Sequence, residues 1–573
     1  MIKRYLLPVL LVVICFGCKK KEKVIPLIIA AATPNDSVNV QHISVPTQHN
    51  DNTRAGLNNR ETALTTANVN TGHFGKLFAV HVDDDIYAQP LVVGKLPFGK
   101  GGRNVVFIAT VSNSIYAIDA DNGVRYWNNN YTENGMRPPN VNDLISPAVW
   151  WCNPYTDFRY NIGIVGTPVI DTAAQTIYFV ARSCNNGNGL VQYLHAVNIL
   201  TGAEQPGSPV KIAASVSGTG DGSIANMVNF DPKLNNQRQG LLLLNGVVYI
   251  SFSSHCDLNP YHGWIIGYDA KTLQRQIVYN DTPNGENGGI WECGMGIAAD
   301  NQGNIYVTTG NGTVGRGNLY QETSNGTGED KPNPDPTDLT DRGESALKLT
   351  PSGGTLKISS YFTPTNYLDL NINDLDYGVM GTLLIPNSNS YFTGCKDGSL
   401  FLLDKDNMGG YSGSGNQNKQ TIPGSAPMRC QPAYYSGNSG EFVYVWPEQE
   451  PLQAYSFNRA SGRLSYGPYF SAVSGPQDFG AVLSVSSSGT APGTGIVWAS
   501  YKINASPPGY YSAFHGILRA FDANNITKEL WNSDQVKGDA VGDWAKFCSP
   551  TIANGKVYLA TFTNQVVVYG LKK

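Results

Sequence analysis

The sequence predicts an all-β fold, an eight-bladed β-propeller whose ring is closed by an N-terminal strand pairing with the last blade. Three observations predict it. One strand–turn–strand unit recurs eight times, Gly 62 and Tyr 31 with many Asn-Gly and Asp-Gly pairs favour strands and tight turns, and the last copy stops short of its outer strand. A chain of 573 residues exceeds one compact core unless the fold grows by repetition. Charge is sparse at 15 % and net −4, which excludes a basic face for nucleic acid.

The chain opens with Lys3-Arg4, an apolar run from Tyr5 to Phe16, and Gly17-Cys18 before Lys19-Lys20-Lys21. A positive start and a short apolar core describe an export signal, too short to span a bilayer. Residues 1–17 read as a signal peptide, and the small residue before Cys18 resembles the lipidation site of bacterial lipoproteins. Residues 18–70 are polar and aperiodic, a tether and entry segment. Residues 71–573 then form the propeller.

The clearest repeat is "NVVFIATVSNSIYAIDADNGVRYW", Asn104 to Trp127. Each unit holds an apolar strand, a turn, two more strands and a last one after an Asp/Asn-Gly turn. The Asp or Asn recurs as Asp119, Asn198, Asp269, Asp404, Asn458 and Asp522, where its side chain can bond the turn backbone. The eighth copy ends at Lys573. The segment "GKLFAVHVD", Gly75 to Asp83, has a strand's composition and supplies the missing outer strand, which removes an open sheet edge.

With strands A to D counted from the axis outward, the A–B and C–D turns are mostly short. Long connections fall in the D–A and B–C set, at 128–162, 309–344 and 361–377. Long loops on one face of a rigid scaffold are where binding surfaces are built. Excluding Cys15 and Cys18, the seven cysteines map to this set or to adjoining strand ends. Neighbouring connections suggest disulfides Cys152–Cys184, Cys256–Cys293 and Cys395–Cys430, with Cys548 unpaired. No Cys-x-x-Cys pair stands in the mature chain, so no metal site is read.

The stretch "SHCDLNPYHGW" carries His255, Cys256, Asp257 and His262. His262 aligns with His515, Asp397 and Asn113 of other blades, so it reads as a hairpin cap, leaving His255 and Asp257 as polar groups of the loop-rich face. The funnel mouth is lined by residues just before the A strands. Candidates are Tyr87, Trp291, Glu292, Asp376, Arg429, Asp478, Asp543, Trp544 and Lys546, an aromatic platform beside carboxylates and cations suited to a planar or sugar-like ligand. The stretch "EDKPNPDPTDLTDRGE" lacks EF-hand spacing and reads as a solvated insert.

The repeat "YAIDADNG…W" and its relatives resemble the quinoprotein-type repeat of pyrroloquinoline-quinone dehydrogenases and of an outer-membrane assembly propeller lipoprotein. The resemblance spans about residues 75–573. It implies the propeller fold and two alternatives of function. A catalytic member would stack pyrroloquinoline quinone between a tryptophan and a disulfide of adjacent cysteines, with calcium beside a catalytic aspartate, a role open to Asp376 or Asp543. No Cys-Cys pair and no Cys-x-x-Cys-His haem motif stands in the sequence. The reading adopted is therefore a binding or assembly scaffold in the cell envelope. Its partners would be a small-molecule or glycan ligand, or an envelope protein, and its lipid anchor would sit on the outer membrane facing the periplasm. Replacing Cys18 by Ser is expected to move the protein from the membrane fraction to the soluble fraction; an unchanged distribution removes the anchor.

Overall fold

The computed structural model describes residues 41–572, except 147–148, 150–151, 186–188, 317–319, 323–327, 331–334, 425 and 504–513. Cys18 and the signal lie outside the described residues. Residues from Gln41 onward form one compact unit.

Eight antiparallel sheets are arranged in chain order. Blade one holds Leu91–Leu96, Arg103–Ala109, Ser114–Asp119 and Arg125–Asn130 as strands A to D. Blade eight takes A to C from Thr551–Ala553, Lys556–Ala560 and Gln565–Leu571. Its outer strand is Phe74–His81, antiparallel to Gln565–Leu571, with Phe74 opposite Leu571 and His81 opposite Gln565. The N-terminal strand thus sits where the truncated last repeat required one.

The strands read as nearly continuous apolar runs because both faces of each blade are covered. Side chains alternate across a strand. In blade one, Val105 and Phe107 pack toward Ile170, Ile177 and Phe179 of blade two. Val106 and Ile108 pack the other way, onto Tyr558, Val566 and Val568 of blade eight. The same partition recurs around the ring, so the core is a set of eight inter-blade clusters. All six turn residues singled out in the repeat accept backbone N–H bonds. For example, Asp269 Oδ1 accepts from Lys271 N at 3.0 Å and Thr272 N at 2.7 Å, and Asp522 Oδ1 from Asn524 N at 3.0 Å.

The entry segment behaves differently from a tether. Residues 45–58 run along the inner edges of the A strands, touching the blades in order. Val45 pairs with Val92 of blade one, and Pro46 O accepts from Ile170 N of blade two. Asn52 bridges blades three and four, its Nδ2 donating to Leu243 O at 3.0 Å and its O accepting from Ala299 N at 2.7 Å. Thr53 O, Ala55 O and Gly56 O accept from Leu384 N, Tyr434 N and Val485 N of blades five, six and seven. Asn58 Nδ2 donates to Ile552 O of blade eight at 2.8 Å. Leu57–Asn58 adds a short parallel strand to blade seven.

Arg54 holds this segment at the axis. Its guanidinium, fully buried, donates to Thr47 Oγ1 and Gln48 O at 2.8 Å, Ile297 O at 3.1 Å and Leu241 O at 3.2 Å. Arg54 O lies 2.9 Å from His49 Nδ1, and His49 Nε2 lies 2.8 Å from Leu483 O of blade seven. Blades three and seven face each other across the ring, so these two side chains span the channel. Gly56 has φ +67°, and a Cβ there would come within 3.0 Å of the His49 ring, so the turn requires glycine.

Truncating Arg54 would orphan several buried acceptors at about 1–3 kcal/mol each. Arg54→Ala is therefore expected to lower the unfolding free energy by at least ~3 kcal/mol in denaturant titration. A loss within error would show that the segment is dispensable.

Candidate functional site

The loop-rich face gathers the D–A and B–C connections, and the residues entering the A strands form its floor. There the ring is nearly closed across the axis. Gln431, entering blade six, donates from Nε2 to Cys293 O of blade four at 2.6 Å and to Phe547 O of blade eight at 2.9 Å.

The nine candidate residues separate into three groups. Around blades six to eight, Arg429 grips Glu448 through two bonds of 2.5 and 2.9 Å, and its guanidinium lies 5.0 Å from the centre of the Phe479 ring. Lys546 Nζ is 2.6 Å from Asp157 Oδ1 and 4.4 Å from the same ring. Asp478 accepts from Lys502 Nζ at 2.9 Å, and Lys502 also faces Phe479 at 5.0 Å. Trp544 packs beside Phe479 and Phe547. Arg238 completes the group, 4.6 Å above the Phe547 ring. Cations set over aromatic faces gain attraction from the ring quadrupole, more so when desolvated. Burial pulls the Lys546 ammonium down to about 8, against the pull of Asp157.

The second group lies between blades four and five. Trp291 is half-buried, and a Cβ on Gly310 would meet both its indole, at 2.8 Å, and Asp376 Oδ1, at 2.3 Å. Asp376 accepts from Asn311 N at 3.0 Å and Lys396 Nζ at 3.4 Å. Burial raises the Asp376 carboxyl, and Lys396 opposes that rise. Glu292 is fully buried; its Oε1 accepts from Thr308 N and Thr382 Oγ1, both at 3.0 Å. Burial raises it to about 8. Glu292 braces the entry of blade four rather than facing the mouth. Of the insert expected to be solvated, Asp335 is exposed as expected, whereas Asp341 and Glu344 are buried.

Tyr87 and Asp543 form the third group. Tyr87 is buried between Phe158 and Phe562, its hydroxyl accepting from Arg159 N at 3.3 Å, while Arg159 bridges Asp543 at 3.3 Å and Asp85 at 3.6 Å.

The cysteine pairing differs from the expected set. Cys152 bonds Cys256, with Cα atoms 6.3 Å apart, while Cys184, Cys293, Cys395, Cys430 and Cys548 are free and buried. The loop from blade one to blade two therefore reaches past blade two to the B–C turn of blade three. Cys184 instead lies 3.8 Å from Asp143 Oδ2, and Cys395 Sγ donates to Leu375 O at 3.1 Å. Cys430 packs in the apolar cluster between blades five and six. His262 is a cap, its nitrogens 2.9 Å from Thr282 Oγ1 and 3.0 Å from Asp221 O.

Phe479, Phe547 and Arg238 escaped the sequence reading. A signal was present: in blades three, six and eight a cation stands four or five residues before the A strand, as Arg238 before Leu242, Arg429 before Ala433 and Lys546 before Thr551. A groove of about 570 Å³ also opens on the opposite face between blades four and five. Its walls are hairpin turns with internally engaged polar groups. Asp300 accepts from Gln302 N, Asn304 N and Tyr306 OH, each at 2.9 Å.

No family model and no curated protein sequence matches the chain. Among solved structures, a quinohemoprotein alcohol dehydrogenase from Pseudomonas putida HK5 superposes with TM-score 0.55 at 12 % identity, covering 92 % of this chain and 80 % of that one. The quinohemoprotein alcohol dehydrogenase from Comamonas testosteroni gives 0.53 at 14 % identity, with the same coverage. A europium-containing methanol dehydrogenase gives 0.54 at 11 % identity, covering 92 % and 98 %. The chain has the quinoprotein-type eight-bladed propeller fold.

The side chains do not fit a quinone held with calcium in the way the resemblance implied. The disulfide joins two separate loops, not adjacent cysteines. Among the described residues no three His, Cys, Asp or Glu side chains converge as a metal requires. Trp291 does stand beside Asp376, but Asp376 is engaged by Lys396 and a backbone N–H.

A carboxyl protonated in the fold and ionised in the unfolded chain favours folding at acid pH and loses that contribution as pH rises through its folded pKa. For Glu292 the window runs from its ordinary 4.5 up to about 8. Glu292→Gln is expected to shrink the fall in Tm between pH 5 and pH 8 by about 1–3 °C. An unchanged slope in thermal unfolding would mean that Glu292 is ionised in the fold.

Proposed function

We propose that the chain is a binding propeller of the cell envelope, tethered by lipid at Cys18, which holds a ligand or partner at its loop-rich mouth without redox chemistry of its own. One observation carries the reading: Arg238, Arg429, Lys502 and Lys546 crowd two aromatic rings, Phe479 and Phe547, at the blade-six to blade-eight side of the mouth. Three of these cations have carboxylate partners at or below 2.9 Å, in Glu448, Asp478 and Asp157. Arg238 has no carboxylate within ion-pair distance among the described residues, so the group carries excess positive charge. Stacking faces beside fixed cations suit an acidic glycan or an acidic peptide segment. The Cys152–Cys256 bond pins one loop of the rim, which lessens the ordering entropy on binding. The alternative, a pyrroloquinoline-quinone dehydrogenase, rests on likeness of fold together with the neighbourhood of Trp291 and Asp376.

Two measurements separate these readings. On a panel of acidic and neutral oligosaccharides and short acidic peptides at low salt, the protein is expected to retain acidic members, and Arg429→Ala or Phe547→Ala to weaken them about tenfold or more, a loss of about 1.4 kcal/mol. Protein reconstituted with pyrroloquinoline quinone and calcium is expected to give no alcohol- or sugar-dependent dye reduction. Retention of nothing on the panel, together with turnover abolished by Asp376→Ala or Asp543→Ala, would replace the binding role with the dehydrogenase.

A further inference from the structure

Beneath the rim of the mouth lies a set of buried donors without acceptors. Arg182, on strand B of blade two (Thr176–Cys184), is 1 % exposed. Its Nη2 donates to Asn236 Oδ1 at 2.7 Å and Gln237 O at 3.0 Å. Its Nε and Nη1 are buried and meet no acceptor among the described residues, and no carboxylate forms an ion pair with it there. Three N–H groups of a fully buried cation are thus unanswered.

Two neighbours share the condition. His255, also 1 % exposed, has Nδ1 3.0 Å from the Tyr155 hydroxyl, while its Nε2 is buried without a partner. Burial, reinforced by the charge of Arg182, keeps this imidazole neutral, well below its usual value. In the tautomer where Tyr155 donates to Nδ1, the ring proton sits on Nε2 and adds a further donor; in the other, Nε2 is a lone pair and the two guanidiniums alone carry the donors. Arg238 follows directly on Gln237, and its Nη2 is likewise buried and unanswered. Its charge acts on both His255 and Tyr155, as does that of Arg182. Asp157 also acts on both, but it is bound to Lys546 at 2.6 Å.

A buried, unpaired charge is strongly destabilising, and buried polar groups are satisfied in the great majority of cases. Here two guanidiniums and an imidazole lie near two carboxylates that are already engaged, Asp157 by Lys546 and Asp257 by the Tyr261 hydroxyl at 3.0 Å. Guanidinium forks match the oxygens of carboxylates, phosphates and sulfates in paired bonds. We propose that Arg182, Arg238 and His255 form a built-in oxyanion site, which takes either a free oxyanion or the carboxylate or phosphate end of a larger ligand entering from the mouth. The second source rests on the binding role proposed above; the first does not. Cys152–Cys256 is part of the construction, since it ties the loop carrying Tyr155 and Asp157 to the residue after His255.

The test uses the full-length, oxidised protein at constant ionic strength, with inorganic phosphate, sulfate and citrate as probes and chloride as the control. Calorimetric titration and thermal unfolding are expected to give a saturable response to at least one oxyanion and none to chloride. Arg182→Met removes an unpaired buried charge at similar volume, so it is expected to fold without the anion and to lose the response. Arg238→Gln, at a half-buried position, is expected to weaken binding at least tenfold and serves should Arg182→Met not fold. No saturable response to any of the three probes overturns the site, its donors then being satisfied by water, and so does an undiminished response in Arg238→Gln. Binding of the small probes without retention of acidic glycans or peptides leaves the oxyanion site standing and removes the role proposed for the mouth. Retention without small-anion binding does the reverse.

Discussion

The whole ring depends on hydrogen bonding along its inner edge. Eight sheets converging on an axis present eight innermost strands, each with unpaired N–H and C=O groups facing a narrow channel. Such groups cannot remain both buried and unpaired. Residues 45–58 answer them in circular order from blade one to blade eight, and Arg54 reaches the carbonyls that the backbone leaves. A continuous β-edge pairing is impossible inside a closed circle. The segment therefore alternates backbone bonds with the amides of Asn52 and Asn58, and it bends through positive φ at His49, Asn50, Arg54 and Gly56.

That construction explains which parts of the fold were legible in the sequence. The blades were, because burial of both faces makes every inner strand apolar along its length and an Asp or Asn marks the C–D turn. The outer strand from the N-terminus was legible from the truncated last repeat. The axial segment was not. Its polar composition reads as solvated, yet its Asn, Thr, Gln and Arg side chains are polar because they serve backbone groups at the axis. The same inversion misled the reading of Asp341 and Glu344, which are buried at the end of an acid-rich stretch whose Asp335 stays exposed.

For the candidate site, repeat position and loop length made legible which residues stand before the A strands on the D–A and B–C face, and only part of how they pack. Arg429, Lys546 and Trp544 meet there, but what joins them is Phe479 and Phe547, which a search for titratable groups passes over. Glu292 was chosen for its charge and turned out to be an internal brace. The cysteines were paired by proximity along the ring, which assumes that each loop stays over its own blade. The long loop 131–168 instead leans across blade two, and its cysteine meets Cys256.

The axial segment and the outer strand of blade eight also set an order of assembly. Asn58 meets Ile552 at a separation of 494 residues, Ile43 meets Asn554 at 511, and Phe74 pairs with Leu571. Contacts this distant in sequence form late and slowly. Synthesised from the N-terminus, the chain holds Ile43, Asn58 and Phe74–His81 without their blade-eight partners until its last thirty or so residues emerge. Seven blades can nucleate locally before then, but the ring has no closed inner edge. The contacts of Ile43, Asn58 and Phe74–His81 with blade eight are made first in sequence and closed last, so an intermediate lacking the last blade carries an open seam.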